Sequence, residues 1–234
     1  MTTLFLATAN AHKAEEIRAI LGPSFRYRSL VEFSTAPKTV EDAGTFAGNA
    51  TKKAVEFAEW LGSHRHGSPG SDDCYVLADD SGLEVDALNG APGVYSARFA
   101  YLESYKSGNA PDEENRLKLL TVLKEVSAAR RGARFRCAVA LCPVAPPKPE
   151  MSSSVCLASE AEFGAQLFEG SCEGRISFEP KGSEGFGYDS LFVPNGDLRS
   201  FAEIPSGDKN RISHRAKALE KVKIFFENRK SRDQ

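Results

Sequence analysis

Cysteine is scarce in this 234-residue chain: Cys74, Cys137, Cys142, Cys156 and Cys172 form no CxxC pair and no zinc-like Cys/His spacing. Their odd number argues against a closed disulfide framework and for reduced thiols. Long apolar runs are also missing. Nothing approaches the roughly 20 residues that a membrane-spanning helix needs. The opening MTTLFLATANAHK holds only a five-residue apolar-leaning stretch, too short for the core of a secretory leader. A cytoplasmic protein with no membrane partner is expected. Charge of one sign is not in excess, since 30 Lys and Arg stand against 32 Asp and Glu, for a net charge of -2. With a pI near 6.1, nothing in bulk charge calls for a nucleic acid polymer, although a local basic patch can still hold a small anion. No GxxxxGK[ST] loop is present, which excludes a Walker-type phosphate site, and no Ser-His or Cys-His nucleophile pattern stands out.

What is present is a core-forming composition, 41% apolar, enough for one large domain or two lobes. TLFLA, then TANAHK, then AEEIRAIL reads as strand, polar turn and helix, with Ile17, Ile20 and Leu21 at helical spacing. In open α/β sheets a strand feeding straight into a helix puts that turn where ligands bind. A helix is expected from Thr45 to Leu61 on the stripe Phe46, Ala50, Ala54, Phe57, Leu61, with Asn49 and Lys53 on its polar edge. SHRHGSPGSDD (63 to 73) reads as a loop, YVLAD as a buried strand, and GLEVDAL as a separate alternating one. Residues 112 to 126 predict a helix with an acidic first turn that complements the helix dipole. RFRCAVALCP predicts a half-buried strand with Arg134, Arg136, Ala138 and Ala140 outward, VCLASEAEF can return antiparallel to it, and the proline-rich 143 to 154 lies between. One last helix is expected from about Asp208 to Glu227, with Ile212, Ala216, Leu219, Val222 and Phe226 on one side. Helices interleaved with strands, some antiparallel, make the class α/β with a mixed sheet.

Several stretches could carry chemistry. In TANAHK, Thr8 and Asn10 offer hydrogen bonds and Lys13 a point charge, which suits a phosphate chain; an ordinary helix-starting turn is the bland alternative. In VEDAG, Glu41 or Asp42 could simply cap the following helix. Asp79 and Asp80 are adjacent at the end of an apolar run, where mutual repulsion costs free energy unless a cation, a proton or a ligand takes up the charge; a strand-ending turn is the alternative. Hard oxygen ligands beside a phosphate-rich substrate are what magnesium sites are made of. GSEGFGYDSLF offers glycines for close approach and Phe186 for stacking, or merely turn glycines flanking core rings. DKNRISHRAK gathers Lys209, Arg211, His214, Arg215 and Lys217, either a solvated helix face or a set of donors for the carbonyl oxygens of a base.

Five segments in this order, TANAHK, VEDAGTFAGNATKKA, LADDSGLEVDALNGAPGVYSARFA, FEPKGSEGFGYDSLFVP and ISHRAKAL, resemble the Ham1-type inosine triphosphate pyrophosphatases. The likeness runs from the first strand to the final helix. It implies one ITPase-like domain over residues 1–234, a mixed twisted sheet with flanking helices, and two lobes around a central nucleotide-binding cleft. It further implies a Mg²⁺-dependent homodimer that converts XTP, ITP and dITP to the monophosphate and pyrophosphate. Position by position, Thr8, Ala9, Asn10, Ala11, His12 and Lys13 match the nucleotide-binding turn, and Lys53 a triphosphate-binding lysine. Glu41 matches the metal carboxylate if one residue is missing between Gly44 and Thr45, which leaves Asp42 as a rival. Asp80 matches the proton acceptor and metal ligand, with Ser81 beside it touching substrate. Phe186, Gly187, Tyr188 and Asp189, then Lys209, His214 and Arg215, match base-recognition positions. Ser190 stands where proline is common, and the loops at 63–73 and 143–154 are longer than usual. A Maf-type nucleotide pyrophosphatase and a non-catalytic nucleotide-binding protein on the same scaffold are the competing readings.

Overall fold

A computed structural model describes residues 1–64, 73–104, 106–144 and 164–231. Its first strand, β1 (Thr3–Leu6), is buried along its whole length. An apolar strand of this kind suits a position covered on both faces. It runs parallel to β2 (Arg26–Ser29) on one side and to β3 (Cys74–Val85) on the other, with Leu4 opposite Tyr27 and Tyr75. β4 (Gly132–Pro143), β5 (Gln166–Ile176) and β6 (Phe192–Pro194) complete six strands in the order β2-β1-β3-β4-β5-β6. The β5–β6 pair is antiparallel, so the sheet is mixed and the class α/β, as the interleaving of helices and strands requires.

α1 (Ala11–Leu21) starts at Asn10, whose side chain accepts from the Lys13 amide, and buries Ala14, Ile17, Ile20 and Leu21. α2 (Phe46–Ser63) buries the stripe read from its spacing. Its N-cap is Thr45, whose hydroxyl accepts from the Gly48 amide at 3.1 Å. Neither Glu41 nor Asp42 caps it, contrary to the local reading. α3 (Asp112–Val122) ends earlier than the periodicity suggests, because the chain turns at Leu123.

Three further expectations are corrected, and one strand is new. β3 is one strand of 12 residues, so Asp79 and Asp80 sit within it rather than in a turn that ends it. β4 buries Ala138 and Ala140 as deeply as Val139, so it is covered on both faces from Cys137 onward rather than half-buried. β5 was not anticipated; the return strand was expected in VCLASEAEF, which lies outside the described residues, as do most of the loops at 63–73 and 143–154. The final helix is two, α4 (Ser206–Ile212) and α5 (His214–Lys230). Ser213 between them is extended (φ -67°, ψ 159°) and accepts from the Ala216 amide through its hydroxyl, an N-cap that restarts the helix.

The chain forms two compact units, Met1–Asp80 with Ala138–Phe168 and Leu219–Gln234, and Ser81–Cys137 with Glu169–Ala218. The first is packed around rings: Phe33 lies 6.0 Å from Phe5, 5.8 Å from Phe57 and 5.6 Å from Trp60 by centroid. The second has its own core, including Leu83, Phe99, Leu119, Phe135 and Phe192. Among the described residues no helix is long and apolar enough to cross a membrane.

Candidate functional site

In the first unit three acids meet two lysines. Asp79 and Asp80 come from β3 and are 1% and 7% exposed. Neighbouring side chains of a strand leave by opposite faces, and the two carboxylates take different cations. Lys13, from the first turns of α1, reaches Asp79 Oδ2 at 3.1 Å. Lys53, from α2, lies 3.9 Å from Asp80 Oδ1 and 3.0 Å from Glu41 Oε2, and donates to the Asp79 carbonyl at 2.8 Å. Asp42, the rival of Glu41, turns instead to Lys52 at 2.8 Å on the surface. Glu41 therefore shares an ammonium with Asp80, and Asp42 does not.

Burial is the largest influence on Asp80 and pushes its carboxyl above the usual carboxylate range. Lys53, Lys13 and a hydrogen bond from Asn49 oppose that rise, while the Glu41 charge adds to it. Asn49 stands one turn before Lys53 on α2, 1% exposed. Its Nδ2 donates to Asp80 Oδ2 at 3.0 Å and its Oδ1 accepts from the Ala43 amide at 2.9 Å. It thus ties Asp80 to the segment that carries Glu41. Sequence reading placed Asn49 on the polar edge of α2 and gave it no role; an amide one helical turn from Lys53 was the available signal.

The TANAHK turn is largely occupied with its own backbone. Thr8 Oγ1 accepts from the Asn10 amide at 3.1 Å and Asn10 Oδ1 from the Lys13 amide at 3.1 Å. Ala9, Asn10, Ala11 and His12 are exposed, and Lys13 brings its side chain to the acidic pair.

In the second unit a different assembly forms. Lys209, His214 and Arg215 are 5%, 5% and 1% exposed, so they are not a solvated helix face. The break at Ser213 turns His214 and Arg215 inward, whereas Arg211 and Lys217 remain outside. His214 stacks on Phe135 at 4.8 Å with 13° between planes. Arg215 Nη2 donates to Ser81 Oγ at 2.9 Å. Phe186, half-buried, has Lys209 Nζ 5.4 Å and the Arg215 guanidinium carbon 5.9 Å from its ring centroid. Tyr188 and Asp189 are buried and hold the turn together. The Tyr188 hydroxyl donates to the Ser96 carbonyl at 2.9 Å, and Asp189 Oδ2 accepts from the Phe186 amide at 2.9 Å and from Lys209 Nζ at 2.8 Å. Burial drives the Tyr188 phenol well above its ordinary range, so it stays protonated. Asp112 and Arg116 of α3, read only as part of a dipole-complementing helix, bind the Gly187 amide and the Gly187 carbonyl respectively.

Among the described residues no group of three His, Cys, Asp or Glu side chains is gathered closely enough to hold a metal by itself. Mg²⁺, however, is usually held by one or two carboxylates together with substrate phosphates. The Lys53 ammonium, shared between Glu41 and Asp80, shows that a cation is accommodated against both. These hard oxygen donors fit the ion.

Known proteins carry the same arrangement of sequence. The chain is 45% identical over 222 residues to the dITP/XTP pyrophosphatase of Opitutus terrae, covering 92% of this chain and 94% of that protein. It is 43% identical over 221 residues to the dITP/XTP pyrophosphatase of Desulforamulus reducens, covering 94% and 92%. Among solved structures, a HAM1 protein from Coxiella burnetii superposes with a TM-score of 0.75 at 34% identity, over 97% of this chain and 100% of that one. The family model described as the Ham1 family matches residues 4–225. With nearly the whole fold and both side-chain assemblies inside that span, this chain belongs to the Ham1 family.

Proposed function

We propose that the protein hydrolyses purine nucleoside triphosphates with altered bases, XTP, ITP and dITP, to the monophosphate and pyrophosphate. The observation that carries this reading is the sharing of one lysine ammonium by Glu41 and buried Asp80. Lys13 stands on the adjacent Asp79. Three carboxylates against two ammoniums, partly dry, form a set ready to exchange partners with a cation and a polyphosphate. Relatives of more than 40% identity are named dITP/XTP pyrophosphatases.

Glu41 and Asp80 would hold Mg²⁺, which when bound neutralises charge on the phosphate oxygens. Lys13 and Lys53 take up further phosphate charge as they leave their carboxylate partners. Asp80 accepts a proton from the water that attacks the α-phosphorus. The bond from that phosphorus to the bridging oxygen breaks, and the electron pair leaves with pyrophosphate. No side chain becomes covalently attached, so positioning and charge neutralisation do the work. Asn49 keeps the Asp80 carboxylate oriented.

On the base side, the half-open Phe186 ring offers a face for stacking. Donors from His214 and Arg215 meet the 6-oxo group, which adenine lacks, and a buried donor left without an acceptor penalises ATP strongly. The homodimer rests on the resemblance, and the cytoplasmic location on the reading of the sequence. A nucleotide panel with Mg²⁺ tests the function: ITP, XTP and dITP should yield monophosphate and pyrophosphate far faster than ATP or GTP. Release of orthophosphate and a diphosphate, or equal use of ATP, rejects it.

A further inference from the structure

The Phe186 turn has no place in a helix or strand, and both of its flanking glycines adopt the left-handed region, Gly185 at φ +77° and Gly187 at φ +61°. Such a segment has much conformational entropy to lose on ordering. Yet the four backbone polar groups of Phe186 and Gly187 are all bonded. The Phe186 amide donates to Asp189 Oδ2 at 2.9 Å, and its carbonyl accepts from the Asp189 amide at 3.2 Å. The Gly187 amide donates to Asp112 Oδ2 at 2.6 Å, and its carbonyl accepts from Arg116 Nη1 at 2.9 Å.

The first two bonds are local and close the turn on itself. The other two come from α3, more than 70 residues away in sequence, from side chains one helical turn apart. α3 is itself anchored. Asn115, 2% exposed and lying between Asp112 and Arg116, accepts from the Ala100 amide at 2.9 Å and donates to the Ala97 and Ala110 carbonyls at 3.2 and 3.3 Å. The Phe186 ring, by contrast, remains half-buried. A pinned backbone under a partly open ring is the geometry of a platform prepared for a flat ligand.

We infer that Asp112 and Arg116 are positioning residues for the base: by holding the two successive peptide planes that meet at the Gly187 Cα they set the place of the Phe186 ring on which a purine stacks. The inference rests on the proposed function for the identity of the ligand. Both bonds are charge-assisted, stronger than bonds between neutral groups: Asp112 holds the Phe186–Gly187 peptide plane and Arg116 the Gly187–Tyr188 plane that follows it. Neither side chain has to touch the nucleotide. Their effect reaches it through Phe186, so the two α3 residues and Phe186 form one coupled unit.

The test measures the KM and kcat for ITP, and the affinities for IMP and for pyrophosphate by calorimetry, in the full chain. Asp112→Ala should raise the ITP KM and weaken IMP about tenfold, as loss of one strong oriented bond does, while kcat and pyrophosphate affinity stay within about twofold. Asp112→Asn, which keeps an acceptor oxygen, should recover most of the loss. Combined with Phe186→Ala, Asp112→Ala should add little further, because it acts through the ring already removed. If Asp112→Ala folds poorly, Arg116→Ala takes its place with the same expected pattern. Unchanged IMP affinity in the variant, equal losses for IMP and pyrophosphate, or full additivity with Phe186→Ala would overturn the inference while leaving the enzyme reading intact. Wild-type protein that fails to hydrolyse ITP would overturn the enzyme reading, and this inference with it.

Discussion

The two units handle charge in opposite ways. In the first, Lys13 and Lys53 neutralise acids that also repel one another, and Asp80 remains under strain from burial and from Glu41. In the second, Lys209 and Asp189 form a closed pair at 2.8 Å with each side chain 6% exposed, and that pair serves to hold a turn. The first arrangement is suited to being rearranged by an incoming cation and polyphosphate. The second is suited to keeping a surface fixed. A lysine–aspartate contact is thus open to exchange in one place and closed in the other, and the difference lies in what else surrounds the carboxylate.

Substitutions can break that contrast or sharpen it. The largest effect is expected for Asp80→Asn, which should lower ITP turnover by about 10²–10⁴-fold, as loss of a general base does. Its stability should move the other way. Because burial raises the Asp80 pKa, its favourable contribution to folding is present at low pH and lost as pH rises through the raised value. With divalent ions chelated at pH 7, the neutral variant should melt no lower than wild type, and a clear fall in Tm would contradict the strained-site view. Lys209→Ala comes next. Removing one partner of a buried pair should cost about 3–5 kcal/mol, seen in urea unfolding, whereas Lys53→Ala should lose activity with a much smaller change in stability.

Asn49→Ala should fall between the two modes. It leaves the Ala43 amide and Asp80 Oδ2 without the bonds at 2.9 and 3.0 Å, worth about 1–3 kcal/mol, and should reduce turnover as well. The smallest effect belongs to a site remote from either set. Glu32 accepts from the Ser29 amide at 2.6 Å in a capping box, and that backbone bond holds its carboxyl below the usual range. The contribution is therefore complete above the ordinary glutamate value and disappears as pH falls through the lowered one. Glu32 is largely exposed, so Glu32→Gln should cost only a few tenths of a kcal/mol at neutral pH, and nothing once the pH has fallen below the lowered value.

Much of the architecture was legible because it depends on local pattern. The stripe of α2, the Asn10-capped start of α1 and the apolar run of β1 are each written in a few adjacent residues. β5 was not, because its sequence QLFEGSCEG carries glycines that weaken a strand signal. The structure gives a reason for one of them: a Cβ at Gly170 would strike the His214 carbonyl, so the glycine admits the start of α5. The break at Ser213 was hidden by apolar spacing that continues across it from Ile212 to Ala216. Asp79 and Asp80 announced themselves as a costly pair, but their lodging inside a long strand depends on long-range pairing within the sheet, which no local pattern reports. Asp112 and Arg116 escaped notice for the same reason, since their partner at Gly187 is distant in sequence.

The account turns on where water enters the triphosphate. Hydrolysis of ITP in ¹⁸O-labelled water, with the products separated and weighed by mass spectrometry, measures this directly. Attack at the α-phosphorus predicts the label in IMP and none in pyrophosphate. Label in the pyrophosphate, or products other than these two, would contradict it.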